Sequence, residues 1–185
     1  MTVFPRFFRN WRIRRRIARL HRALGIPPDY AVRHALPLQP EAARLESAGL
    51  DIYLREQRLI PAAAAAWHAM VAAAANDGIE LQLVSAFRTI AYQEGILRRK
   101  RDQGRAIEEI LRVSAAPGYS EHHSGRAVDL TTPGCPVLEE PFEDTEAFAW
   151  LCRRAGEFGF RLSYPRGNPH GVNYEPWHWA WRGDA

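Results

Sequence analysis

Apolar residues recur along this chain with two different periods, and each period predicts its own kind of element. Between residues 59 and 76, Leu59, Trp67, Met70 and Val71 ride on an alanine-rich stretch. Alanine's high propensity makes that segment a helix. A strand is expected at 80–86, helices at 89–102 and near 105–113, a strand at 125–131, a helix at 144–158, and strands near 160–164 and 177–181. In the strand at 125–131 the side chains alternate, with Val128 and Leu130 on one face and Ala127 and Asp129 on the other. Helices and strands mix without regular alternation, which predicts an α+β fold, not a doubly wound sheet. The proline- and acid-rich loop from Thr131 to Asp144 is expected to border whatever cleft the sheet forms.

Two patterned segments carry the chemistry. Residues 120–129 read Ser-Glu-His-His-Ser-Gly-Arg-Ala-Val-Asp, and 46 residues after Asp129 the chain reads Glu175-Pro176-Trp177-His178. Two imidazoles and one carboxylate suit a divalent zinc with an open fourth position, and a second carboxylate can serve as base to a water there. His122 lies in a turn built from Gly118, Ser120 and Ser124, from which its side chain can be aimed at Asp129. His123 is expected to point the other way, so only one of the pair should bind metal. Gly125 and Ala127 share the aspartate's face and read as clearance for an ion and a substrate backbone. Glu175 and His178 can approach one site from a tight turn stiffened by Pro176 and Trp177. There is no His-Glu-x-x-His helix, so the site must be assembled from separate segments. A closed structural zinc site favours four cysteine or histidine ligands, and an iron(II) oxygenase site would leave Glu175 without a role. Glu121 and Ser124 read as ordinary turn residues, as do His21, His34, His68 and His170 as surface or core histidines, although the loop carrying His170 can reach the cleft.

Taken together, these segments resemble the VanY-type D-alanyl-D-alanine carboxypeptidases, zinc metallopeptidases whose signature is Ser-x-His-x-x-Gly-x-Ala-x-Asp followed by Glu-x-x-His with a tryptophan before the last histidine. Val84-Ser85-Ala86-Phe87-Arg88-Thr89 with Gln93 is similar to the family's Ser-Gly-Tyr-Arg-Ser and its following glutamine. Trp150-Leu151 and Gly159-Phe160 match between the two motifs, so the resemblance spans roughly residues 59 to 181 in four ordered blocks. It implies a small mixed α/β single domain with a central antiparallel sheet flanked by helices, of the Hedgehog/DD-peptidase kind. It also implies one Zn2+ held by His122, Asp129 and His178, with Glu175 as catalytic base. Arg88 would hold either the substrate carboxylate or the developing oxyanion, and Gln93 and Ser120 would line the same pocket. Ala86, Phe87, Thr89, His123, Ala180 and Trp181 depart from the family wording, yet none removes a ligand or the base. The implied substrate is a peptidoglycan peptide or another D-Ala-terminated peptide. D-Ala-D-Ala dipeptidase or wall endopeptidase activity is the nearest alternative, and a zinc-containing binding domain is the non-enzymatic one.

Charge divides the chain unevenly. The protein has 185 residues, 46% hydrophobic, and a formal net charge of +4. Its first 22 residues hold eight arginines and no acid, whereas the remainder has 17 basic against 21 acidic residues. Three regions follow: a basic amphipathic arm at 1–25, a lead-in at 26–58 and a catalytic domain at 59–185. In the arm, Phe4, Phe7, Phe8 and Trp11 at helical spacing among arginines suit either an anionic membrane surface or packing against the domain. Nucleic acid is disfavoured because no second basic patch supports it. Arginines interrupt any apolar core that a secretory signal would need, so a bacterial protein in the cytoplasm or at the inner membrane is expected, with the periplasm as alternative. Cys135 and Cys152 lack metal-ligand spacing and leave the redox compartment open.

Overall fold

The computed structural model describes residues 6–183, with side chains from residue 13 onward. In chain order, helices α1 (Arg6–Leu24) and α2 (Tyr30–Arg33) precede an antiparallel hairpin of β1 (Glu46–Leu50) and β2 (Glu56–Leu59). Helix α3 (Pro61–Asn76), strand β3 (Gln82–Ser85) and helices α4 (Ile90–Asp102) and α5 (Ile107–Arg112) follow. Strand β4 (Ala127–Thr131), helix α6 (Glu146–Arg154) and strands β5 (Phe160–Leu162) and β6 (His178–Trp181) complete the domain. The last four strands form one antiparallel sheet in the order β3-β4-β6-β5, with β4 and β6 central. The α+β reading of the sequence is what the chain adopts.

Local chemistry sets the helix boundaries. Pro61 occupies the first turn of α3, where a missing N–H costs nothing, and Gly78 at φ +78° ends the connection after it. Thr89 and Thr145 cap α4 and α6 through their hydroxyls, which accept from Tyr92 N and Phe148 N. Helix 59–76 therefore starts two residues later than its apolar pattern suggests, because Leu59 closes β2 as a fully buried strand residue. The 144–158 segment is α6 continued by a 3-10 turn at Ala155–Phe158. The hairpin β1–β2 was not foreseen. Its sequences, Glu-Ser-Ala-Gly-Leu and Glu-Gln-Arg-Leu, carry too few apolar positions to show a period.

Two apolar clusters enclose the site. One lies between the sheet and helices α3 and α6 and contains Trp67, Met70, Val128, Leu130, Trp150, Phe160 and Trp179. The other joins α1, α2, α4 and α5 through Leu24, Tyr30, Leu97 and Ile110. Helix α1 docks through Ile17, His21 and Leu24, one face at i, i+4 and i+7, while Arg14, Arg16, Arg19 and Arg22 remain exposed. Phe4, Phe7, Phe8 and Trp11 lie outside the described side chains. No helix among the described residues is long and apolar enough to cross a membrane.

The expectation that Gly125 and Ala127 clear space for an ion is corrected. Gly125, at φ +66°, closes a 3-10 turn at Glu121–Ser124, and a Cβ there would lie 3.0 Å from Leu45 and 3.2 Å from Ala42 and Ile60. Its missing side chain lets the lead-in pack against the turn. Ala127 is wholly buried and begins β4, all five residues of which are buried.

Candidate metal centre

Sheet register brings the ligands together. On β4, Asp129 pairs with His178 of β6 on one side and with Ser85 of β3 on the other. Directly paired residues share a sheet face, so these three side chains rise together on the side away from α3 and α6. The 3-10 turn before β4 supplies His122. One ligand atom each from His122, Asp129 and His178 lies within 4.8 Å of the others, and all three residues are buried.

Each imidazole has one nitrogen committed to a protein acceptor and the other turned to the centre. His122 donates from Nδ1 to the Ala86 carbonyl at 2.6 Å, leaving Nε2 3.2 Å from Asp129 Oδ2. His178 donates from Nε2 to Glu121 Oε2 at 3.0 Å, leaving Nδ1 2.9 Å from Asp129 Oδ1. Such outer hydrogen bonds fix ring orientation and tautomer, which is what a metal-ligating histidine requires. Two buried imidazoles and one buried carboxylate thus fit a single zinc. His123 points away, as expected: its Nδ1 donates to the Arg88 carbonyl and its Nε2 accepts from Gly118 N.

Electrostatics separate the two carboxylates. Burial works against charge on Asp129, but His122, Arg88 and His178 outweigh it and hold the carboxyl well below its usual range. Glu175 is held in the opposite direction. Burial pushes it up to about 7, with His178 opposing and Asp129 reinforcing the shift. Its Oε2 lies 4.0 Å from His178 Nδ1. One carboxylate is therefore set to stay ionised and the other to exchange a proton near neutrality. Burial lowers His122 to about 4. On His178 burial is outweighed by hydrogen bonds to Asp129 and Glu121, which raise it to about 10.

The centre opens into a cleft of about 410 Å³ whose walls include Arg88, Gln93, Ser120, Glu175 and Trp177. Arg88 donates from Nε to Ser85 Oγ at 2.7 Å and from Nη2 to Asp129 Oδ2. Leu138, from the 131–144 loop, borders the cleft, whereas Phe87 and Ala180 do not line it. His170 stays outside: it and His34 exchange hydrogen bonds with each other's backbone carbonyl.

The sequence presents Glu121 as an ordinary turn residue, and the structure corrects this. Its side chain is only 12% exposed and joins His178 to Arg182, whose Nη2 lies 2.6 Å from Oε1. Ser124 keeps its turn role, donating to the Glu121 carbonyl at 2.6 Å. Tyr164, also unforeseen, packs its ring 5.0 Å from that of His178. Neither had a signal beyond adjacency to a motif.

The chain is similar to known proteins in sequence and in fold. The family model for VanY, D-alanyl-D-alanine carboxypeptidase, matches residues 56–184. A D-alanyl-D-alanine carboxypeptidase from Enterococcus faecalis (strain ATCC 700802 / V583) is 31% identical over 121 residues, covering 60% of this chain and 43% of its own length. A Bacillus subtilis relative, 32% identical over 133 residues, is likewise spanned over only 45% of its length. Among solved structures, the LdcB LD-carboxypeptidase superposes with a TM-score of 0.71 at 28% identity, covering 80% of this chain and 72% of that one. The vancomycin-resistance D,D-pentapeptidase VanY, solved in complex with Zn(II), gives 0.61 at 26% identity, covering 80% and 83%. With its matched region spanning the hairpin's second strand, the whole sheet and every residue of the centre, the chain belongs to the VanY D-alanyl-D-alanine carboxypeptidase family.

Proposed function

We propose that this protein is a zinc-dependent carboxypeptidase that removes a C-terminal D-amino acid, D-alanine in the first instance, from peptidoglycan-type peptides. The observation that carries this reading is the pairing of a compact His122, Asp129, His178 donor set with a buried carboxyl at Glu175, whose Oε2 lies 4.0 Å from His178 Nδ1. Zinc bound by those three residues would supply Lewis acidity to the scissile carbonyl and acidify the attacking water. Glu175 takes the proton of that water and returns it to the leaving amine, a task for which a pKa close to the working pH is best suited. Arg88 stands at the centre beside Asp129, where its guanidinium can face negative charge developing on the carbonyl oxygen. Ser120, buried on the cleft wall, orients the peptide.

The solved VanYB complex contains D-Alanine-D-Alanine, which favours D,D-specificity, while the likeness to LdcB favours cleavage of an L,D bond as the second reading. We read the exposed arginines of α1 as an attachment to an anionic membrane surface, at the inner face if the chain stays in the cytoplasm. The test of function is to incubate the purified protein with pentapeptide, tetrapeptide and D-Ala-D-Ala, with and without chelator, and to follow products by mass spectrometry. Release of one terminal D-alanine, abolished by chelator, is expected. Glu175→Gln should keep stoichiometric zinc and lose roughly 100- to 10,000-fold in turnover. Unchanged hydrolysis by that variant would refute the base assignment, and no release from any peptide would refute the function.

A further inference from the structure

Two side chains of α4 stand at the cleft wall, and one of them, Lys100, keeps unused hydrogen-bonding capacity there. Gln93 and Lys100 are seven residues apart, so they lie on one helix face with the buried Leu97 between them. Both are fastened to the same short segment: Gln93 Nε2 donates to the Ala115 carbonyl at 2.9 Å and Lys100 Nζ to Ser114 Oγ at 2.7 Å. Both line the same cleft as the metal centre.

The hydrogen-bond inventory shows what is left over. Ser114 spends its only hydrogen on the Val113 carbonyl at 2.6 Å, so toward Lys100 it can only accept. An ammonium has three N–H groups, and one is used there. Among the described residues no carboxylate forms an ion pair with Lys100, although the side chain is half-buried. Gln93 is 1% exposed, and its Oε1 has no hydrogen-bond partner. Burial and the nearby Arg105 charge disfavour the Lys100 ammonium, Glu175 supports it, and Arg88 again disfavours it. An incoming anion would relieve this imbalance.

We propose that Lys100, held by Ser114, is a substrate-binding residue that receives a carboxylate, with Gln93 bracing the same 114–115 segment from the same helix face. A half-buried ammonium on the cleft wall, with N–H groups left over and no carboxylate partner among the described residues, fits an anionic group on the ligand. Arg88 is engaged with Asp129 at the metal centre, so the cleft has a separate cation for a separate negative charge. The carboxylate has two sources in a peptide: the free C-terminus, or an acidic side chain on the residue before the cleaved bond. This inference rests on the peptidase reading above and assigns that site a specificity determinant.

The experiment measures kcat and KM for the zinc-loaded full chain and its Lys100→Met and Lys100→Arg variants. The probes are D-Ala-terminated peptides carrying either a C-terminal acid or amide, and either an acidic or a neutral side chain before the cleaved bond. A charge-assisted hydrogen bond lost from a partly buried site predicts that Lys100→Met raises KM about 10- to 100-fold for the carboxylate-bearing peptides alone. Their kcat should change little, and Lys100→Arg should recover most of the loss. Sensitivity to the terminus or to the side chain identifies the source. If Lys100→Met keeps the wild-type KM ratio between charged and neutral peptides, the proposal is overturned while the peptidase reading stands. An equal loss on every peptide that Arg does not rescue also overturns it, because Lys100 would then only brace α4. If the wild-type protein cleaves none of the peptides, the peptidase reading falls and this inference falls with it.

Discussion

Glu121→Ala removes no metal ligand, yet the structure requires it to weaken the metal site. Its carboxylate holds two groups: the buried Nε2–H of His178 at 3.0 Å and the half-exposed guanidinium of Arg182 at 2.6 Å. The second contact contributes little, because an ion pair with one partner 48% exposed is well solvated, worth roughly 0–1 kcal/mol. The first is different, since the His178 side chain is only 4% exposed and its N–H is buried against this one carboxylate. Leaving such a donor unmet costs about 1–3 kcal/mol, and the ring is free to turn its Nδ1 away from Asp129. Removing the outer partner of a ligating histidine typically weakens metal affinity about 10- to 100-fold, the same range in free energy. Glu121→Gln keeps one carbonyl oxygen for His178 and should lose far less. Zinc competition against a calibrated chelator measures both variants directly. Equal affinity in wild type and Glu121→Ala would show that Asp129 and local packing alone position His178, and the reasoning would fail.

Two further predictions concern stability. In the zinc-free protein Glu175 is raised by burial to about 7 from 4.5, so the folded state binds more protons than the unfolded one between those values, and stability falls as pH rises through that window. Glu175→Gln, which mimics the protonated form, should therefore stabilise the zinc-free protein by on the order of 3 kcal/mol at pH 8 and by almost nothing at pH 4; urea unfolding at the two pH values checks this, and an equal effect at both refutes it. Gly118→Ala places a Cβ against Ile17 of α1 at a backbone φ of +89°, so it should cost about 2–4 kcal/mol and loosen α1. A melting temperature within a degree of wild type would show that α1 is not seated on the turn.

The chemistry was legible where it is local and opaque where it depends on how a turn closes. His122, Asp129, Glu175 and His178 stand in short segments whose residue types already declare a metal and a base, and β4–β6 pairing then brings Asp129 face to face with His178. Glu121 was missed because its partner is 57 residues away. Only the 3-10 geometry of 121–124 turns it toward β6 while sending His122 and His123 to different neighbours. Gly125 reads differently for a related reason: its neighbours in space are Ile60 and, from the lead-in that shows no period, Ala42 and Leu45. Lys100 was hidden by company, since Arg98-Arg99-Lys100-Arg101 looks like a solvated helix end. The helix itself held the clue. Ile90, Gln93, Leu97 and Lys100 step round one face by three, four and three residues, and a polar pair interrupting an otherwise buried stripe has to meet something. Arg98, Arg99 and Arg101 fall off that face and are exposed, whereas Lys100 stays on it and is half-buried. A basic run thus contains one residue whose charge the fold keeps inside the cleft, and the helical period separates it from its neighbours before any site is known.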